Sequence, residues 1–173
     1  TNLTAEMVGL AATTARGGKP ESLKASAHVM NQWAQANLGM TNTALVDHSG
    51  LGDDSRVTAS DMVTVLLKVH REGLRDILKP VAMRDDNRKV LKNHPVKADA
   101  KTGTLNFVSS LAGYLTAPDG TEMAFAIFAA DESIRATLSR AEREAPPGGV
   151  SWNRRAKRMQ QQLIERWAGL YAA

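Results

Sequence analysis

Cysteine is missing from all 173 residues. Its absence excludes disulfides, thiol catalysis and cysteine-rich zinc sites. It leaves the compartment open, since an extracytoplasmic domain of this size can fold without bridges. The four histidines, His28, His48, His70 and His94, are scattered and form no HExxH or comparable spacing, so no metal site is expected. No apolar run approaches the ~20 residues that a membrane helix needs, and no charged-then-apolar leader or initiator methionine opens the stretch "TNLTAEMVGL". A mature secreted chain, or a piece cut from a larger protein, is expected to begin this way. Aromatic residues make up only 5%. None interleaves the basic run Arg154, Arg155, Lys157, Arg158 and Arg166, which, set against Glu165, accounts for the whole formal excess of +4. That run reads as a solvated helix face, and no nucleic-acid partner is expected.

What remains is an ordinary globular composition, 43% hydrophobic and 23% charged, enough for one domain with a sizeable core. "LTAEMVGLAATTA" reads as a helix with Thr4 or Asn2 as N-cap and Glu6 in its first turn. "ESLKASAHVMNQWAQANLG" reads as a second, with Leu23, Ala27, Met30, Ala34 and Leu38 on one stripe and Gly39 closing it. After a short extended piece and turns, Thr58 and Asp61 resemble a capping box opening a third helix. "LRDILKP" adds a helical turn or two. A meander of three strands follows: "VKADAKT", "VSSLAGYLT" and "TEMAFAIFA", the last two joined by the turn "APDG". Apolar residues fall on both faces of the last strand, so a sheet covered on both sides is expected, and three strands make it thin. "RAEREAPPGGVS" reads as a polar surface connection. The closing helix carries Trp152, Ala156, Met159, Leu163, Trp167 and Leu170 as the stripe expected to dock on the sheet. Met30, Trp33 and Trp167 are expected in the core.

The tetrad Lys101-Thr102-Gly103-Thr104 holds the chemistry. Lysine on the open face of an edge strand places a cation where an anion or nucleophile can sit. Thr102 and Thr104 lie two apart, so one strand face carries both hydroxyls, and Gly103 permits close approach of another backbone. A peptide laid along such an edge gains strand-type hydrogen bonds. A solvent-facing strand lysine before a turn is the plain alternative.

The surrounding segments favour the first reading. "KTGTL" runs into the hydrophobic hairpin "SSLAGYLTAPDGTEMAFAIF" and then a C-terminal helix. "DHSGLGDDSRVTASDM" precedes it, and Thr1-Asn2 stand directly before a helix, like the last two residues of an SxN motif. In this order the chain resembles the serine-active-site penicillin-binding proteins, whose motif set is SxxK, SxN and KTG. The wording is most similar to the dacB-type D-alanyl-D-alanine carboxypeptidase/endopeptidase branch. The resemblance implies an α/β (α+β) fold of the β-lactamase/transpeptidase kind, an antiparallel sheet covered by helices on both faces. Residues 1–173 would be the C-terminal portion of a single penicillin-binding domain, cut inside SxN and incomplete without the N-terminal part. No serine here has a lysine three positions on, so the nucleophile, its lysine base and the SxN serine are expected upstream, and the 173 residues alone are expected to be inactive.

The implied reaction is hydrolysis of the terminal D-Ala-D-Ala bond, and of cross-link bonds in an endopeptidase, through a serine acyl-enzyme. Asn2 and Lys101 would be catalytic; Thr102, Gly103 and Thr104 would bind substrate. The implied partners are the peptidoglycan stem peptide, β-lactam antibiotics and the missing N-terminal part of the protein. The implied location is periplasmic or otherwise extracytoplasmic, and no cofactor is implied. Three rivals stand beside it: a β-lactamase, a non-catalytic penicillin-binding-like module, and an N-terminal-nucleophile hydrolase using Thr1. A triad of the adjacent Asp47, His48 and Ser49 is set aside, because triad partners must converge in space.

Overall fold

The computed structural model describes residues 1–139 and 141–172. Arg140, the first residue of the polar connection, lies outside them. The chain forms two compact units, Thr1–Lys68 and Val69–Ala173.

The amino-terminal unit packs α1 (Asn2–Ala15) against α2 (Leu23–Leu38) and runs on into α3 (Ala59–Val69). Thr1, not Thr4 or Asn2, caps α1, its hydroxyl accepting the Thr4 N–H at 3.2 Å. A helix begins where a Thr1-nucleophile enzyme would begin a strand. Glu6 therefore lies beyond the first turn and serves another purpose. Its carboxylate accepts the N–H groups of His48 and Ser49 at 3.1 and 3.0 Å, tying α1 to the 44–56 loop. The His48 ring turns away from Asp47 and Ser49 toward the buried Ser26 hydroxyl, 2.8 Å distant, which also bonds Thr13 at 2.7 Å.

The left-handed Gly39 ends α2 as expected and Ser22 caps its start, but Leu23 is exposed, and so is Trp33, which lies under the Arg16 guanidinium instead of in a core. Thr58 supplies half of a capping box, accepting the Asp61 N–H at 3.0 Å. The Asp61 carboxylate goes to Asn42 N–H and the Thr43 hydroxyl, at 2.8 and 2.7 Å.

The bonds to Glu6, from Ser49 above all, hold its carboxyl below the ordinary value of 4.5 despite some opposing desolvation. A depressed folded-state value stabilises the unit fully above the unfolded value and is lost as pH falls through the folded one. Glu6→Gln should therefore lower the melting temperature at pH 7, and the gap to wild type should narrow steadily below pH ~4.5. A gap that persists unchanged at pH 3 would show that the charge is not what matters.

The carboxy-terminal unit is built on a four-stranded antiparallel sheet in the order β1 (Lys79–Pro80), β2 (Lys97–Leu105), β3 (Val108–Thr116), β4 (Glu122–Ala130). Two short 3₁₀ turns, His70–Glu72 and Leu74–Ile77, precede it, and β1 is the strand that the run ending at Pro80 hides. Strand β2 extends past the expected Thr102 to Leu105. A tight turn at Asn106-Phe107 follows, with Phe107 at φ 61° and buried against Trp152. Asn106 donates to the carbonyls of Arg143 and Glu144, so the turn is held by distant chain. The "APDG" turn closes β3 to β4 as expected, with Gly120 at φ 92°.

After β4, a short helix α4 (Glu132–Thr137) capped by Asp131 leads to α5 (Gly149–Leu170). Helix α5 packs over β3 through Ala156, Gln160, Ile164 and Ala168, while Met159 and Leu170 of the expected docking stripe are exposed. The docking face is rotated because the alanines allow close approach and Gln160 is satisfied on the sheet. Its amide donates to the Ser109 carbonyl at 3.1 Å and accepts from the Ser109 hydroxyl at 3.3 Å. The core joins Ile164 and Ala168 to Ala98, Ala100, Leu111, Leu115, Phe125 and Ile127. On the opposite face, the 3₁₀ segment lies on the sheet around Tyr114. The result is the expected antiparallel sheet between flanking helical elements.

Candidate active site

Four of the five residues singled out in the sequence lie on one strand. Lys101, Thr102, Gly103 and Thr104 occupy the second half of β2; Asn2 sits exposed in the first turn of α1, in the other unit.

Strand β1 pairs with β2 only at Asp99 and Ala100, extended by Val81 N–H to the Ala98 carbonyl at 2.8 Å. Since a strand residue sends its N–H and C=O to the same side, the even-numbered residues of β2 turn their main chain toward the β1 edge. Past Ala100 that edge has no strand beside it among the described residues. Thr102 and Thr104 therefore present their backbone groups outward, where an extended peptide can pair.

Side-chain alternation divides the tetrad. Ala98 and Ala100 face the α5 core, so Thr102 and Thr104 lie on that side, over a groove of about 1320 Å³ bordered by Arg84, Arg88, Arg154 and Lys157. Lys101 projects to the opposite face and is exposed; its ammonium donates to the Thr102 carbonyl and makes no ion pair among the described residues. A ligand group can meet both the lysine and the hydroxyls only at the strand edge. Gly103 faces the same side as Lys101, and a Cβ there would meet the Ser110 hydroxyl, which donates to the Gly103 carbonyl at 3.3 Å.

Beside Lys101 on its face lies a polar cluster that no sequence motif announces. Arg75, from the 3₁₀ segment, donates to Asp99 at 2.9 Å, to the Thr116 hydroxyl at 2.7 Å and to Glu122. Its guanidinium stands 5.9 Å from the Tyr114 ring, and the His70 ring lies 5.1 Å from the same ring. Burial pushes the Tyr114 hydroxyl above its ordinary value, with Arg75 pulling the other way. The alternation of "VKADAKT" does place Asp99 and Lys101 on one face, but the partner of Asp99 comes from 24 residues earlier.

This architecture matches solved structures over most of the chain. Penicillin binding protein 4 (dacB) of Haemophilus influenzae, complexed with a β-lactam, aligns with a TM-score of 0.65 at 21% identity, covering 95% of this chain and 39% of that one. A predatory endopeptidase from Bdellovibrio bacteriovorus, in complex with an immunity protein, aligns at 0.52 and 20% identity, covering 83% and 39%. The protein named PBP-A aligns at 0.51 and 21%, covering 81% and 52%. At such identities the likeness establishes the fold, and the chain spans about two fifths of the length of the first two proteins. No curated protein matches the sequence. Residues 1–146 match a family profile, and on that match, with the penicillin-binding-protein fold beneath it, the chain belongs to the D-Ala-D-Ala carboxypeptidase 3 (S13) family.

Proposed function

We propose that these residues form the substrate-gripping wall of an extracytoplasmic serine peptidase acting on peptidoglycan stem peptides that end in D-Ala-D-Ala. They are read as the C-terminal portion of one penicillin-binding domain. The observation that carries the reading is the β2 edge at Thr102 and Thr104, which has no strand beside it among the described residues, with Lys101 on one side and two hydroxyls on the other. The family match adds the reaction class.

In this mechanism the attacking serine belongs to an SxxK motif outside the 173 residues. Its oxygen bonds to the carbonyl carbon of the penultimate D-Ala, and its proton passes to a base. The tetrahedral intermediate collapses by breaking the C–N bond, and D-Ala leaves as an amine that takes up a proton. Water then cleaves the acyl ester and restores the serine. The Thr104 N–H, turned toward the open edge, is suited to be one oxyanion donor, the serine N–H being the other. Thr102 and Thr104 hold the terminal carboxylate or line the groove, and Gly103 keeps the strand open to the peptide. Lys101 draws the anionic groups and assists proton transfer. Asn2 hydrogen-bonds the amide side of the substrate. A β-lactam, which mimics D-Ala-D-Ala, acylates the same serine.

The test is to incubate the full-length protein with penicillin G, digest it and locate the adduct by mass spectrometry. The expected site is a serine three residues before a lysine and outside residues 1–173. An adduct within residues 1–173, or no adduct, would overturn the reading.

A further inference from the structure

The geometry points to Arg75 as a positioning residue that occupies Asp99 and so leaves Lys101 uncommitted for the substrate. This rests on Lys101 being part of the site, as proposed above. Asp99 and Lys101 are two apart on one face of β2, a spacing of about 6.6 Å along the strand. A lysine side chain spans that distance easily, and an opposite charge at such range favours an ion pair. Nothing in the strand itself keeps the two apart.

Yet the Asp99 carboxylate is held by Arg75 at 2.9 Å, with both side chains mostly sheltered, 18% and 27% exposed. Arg75 is fixed in turn by the Thr116 hydroxyl, by Glu122 and by the Tyr114 ring. Among the described residues, the charged and titratable groups on this face are Lys97, Asp99 and Lys101 of β2, Tyr114 of β3, Glu122 of β4, and His70 and Arg75 of the 3₁₀ segment. His70 stands 3.7 Å from Glu122. Both carboxylates are therefore engaged by the 3₁₀ segment, and among the described residues Lys101 is left with only its neighbour's carbonyl. A planar guanidinium suits this task, because it satisfies several acceptors at once in fixed directions.

The experiment uses the full-length protein and a fluorescent penicillin. Removing Arg75 frees Asp99 to pair with Lys101, so Arg75→Met should slow acylation about tenfold or more and move the basic limb of the pH–rate profile to higher pH. Asp99→Asn alone should change little. The double variant Arg75→Met/Asp99→Asn should recover both the rate and the profile, which a merely structural loss of Arg75 cannot do. The inference is overturned if the double variant is as slow as Arg75→Met, or if Arg75→Met matches wild type in rate and profile. Lys101→Ala separates the two ideas: retained acylation in that variant sinks the site reading itself, whereas its loss alongside an unaffected Arg75→Met sinks only the role of Arg75.

Discussion

Lys101→Ala in the full-length protein is expected to slow acylation by a fluorescent penicillin about 10²–10⁴-fold, the range for loss of a positioned proton-transfer group. The melting temperature should hardly move. Lys101 is exposed on the strand face away from the α5 core and makes no ion pair among the described residues, so little folding energy depends on it. The pairing of a large kinetic loss with an intact fold is what distinguishes a site residue from a solvated strand lysine. Lys101→Arg should not restore the rate, because the planar guanidinium cannot release a proton at neutral pH or occupy the same point as an ammonium. Acylation within a few-fold of wild type in Lys101→Ala would reduce the tetrad to an ordinary edge strand.

Gly113→Ala should produce the opposite pattern, a fold lost through one methyl group. Gly113 lies in β3 opposite Ala100, on the face covered by α5. A Cβ there would run into the Asp99 carbonyl oxygen and come within 2.7 Å of Ala100 Cα and 2.9 Å of its Cβ. Two of those atoms are main chain and cannot swing aside. β2 and β3 must separate, and the register from Lys97↔Thr116 to Leu105↔Val108 loosens with them. Overpacking of this kind costs about 3 kcal/mol at the upper end of its usual range. For a unit of this size that corresponds to a fall in melting temperature of about 12–24 °C. Gly103→Ala is the control on the same sheet. Its new methyl meets only the Ser110 hydroxyl, which can rotate away at the cost of one hydrogen bond, so the loss should be near 1 kcal/mol. Equal melting temperatures for the two variants would contradict the packing described.

The two substitutions act on neighbouring strands for different reasons, and only one reason was legible beforehand. The tetrad at Lys101 is a local pattern: a cation, two hydroxyls and a glycine at strand spacing, followed by a hairpin whose turn residues announce themselves. Gly113 carries no such mark in "SSLAGYLT"; its constraint is a cross-strand contact between positions 13 residues apart in register with Ala100. The same divide explains α5. Its length and amphipathic character follow from spacing. Its docking face does not, because Gln160 counts as polar until Ser109 is found opposite it. Glu6 and Asp61 looked like first-turn and capping-box acids for the same reason. Helix-end statistics rank local partners, while the folded chain offers better ones in His48, Ser49, Asn42 and Thr43.

By itself, then, the sequence determined the helix and strand periods, the antiparallel meander, the absence of cysteine and the strand bearing Lys101, all readable from composition or from neighbours within a turn or a strand. Only the tertiary structure decided that the pairing of β2 with β1 stops at Ala100 and leaves Thr102 and Thr104 on an open edge, and that Arg75 claims Asp99 beside Lys101. Those outcomes depend on which distant segment reaches a carboxylate or a strand edge first, and that competition is settled by packing in three dimensions rather than by local propensity.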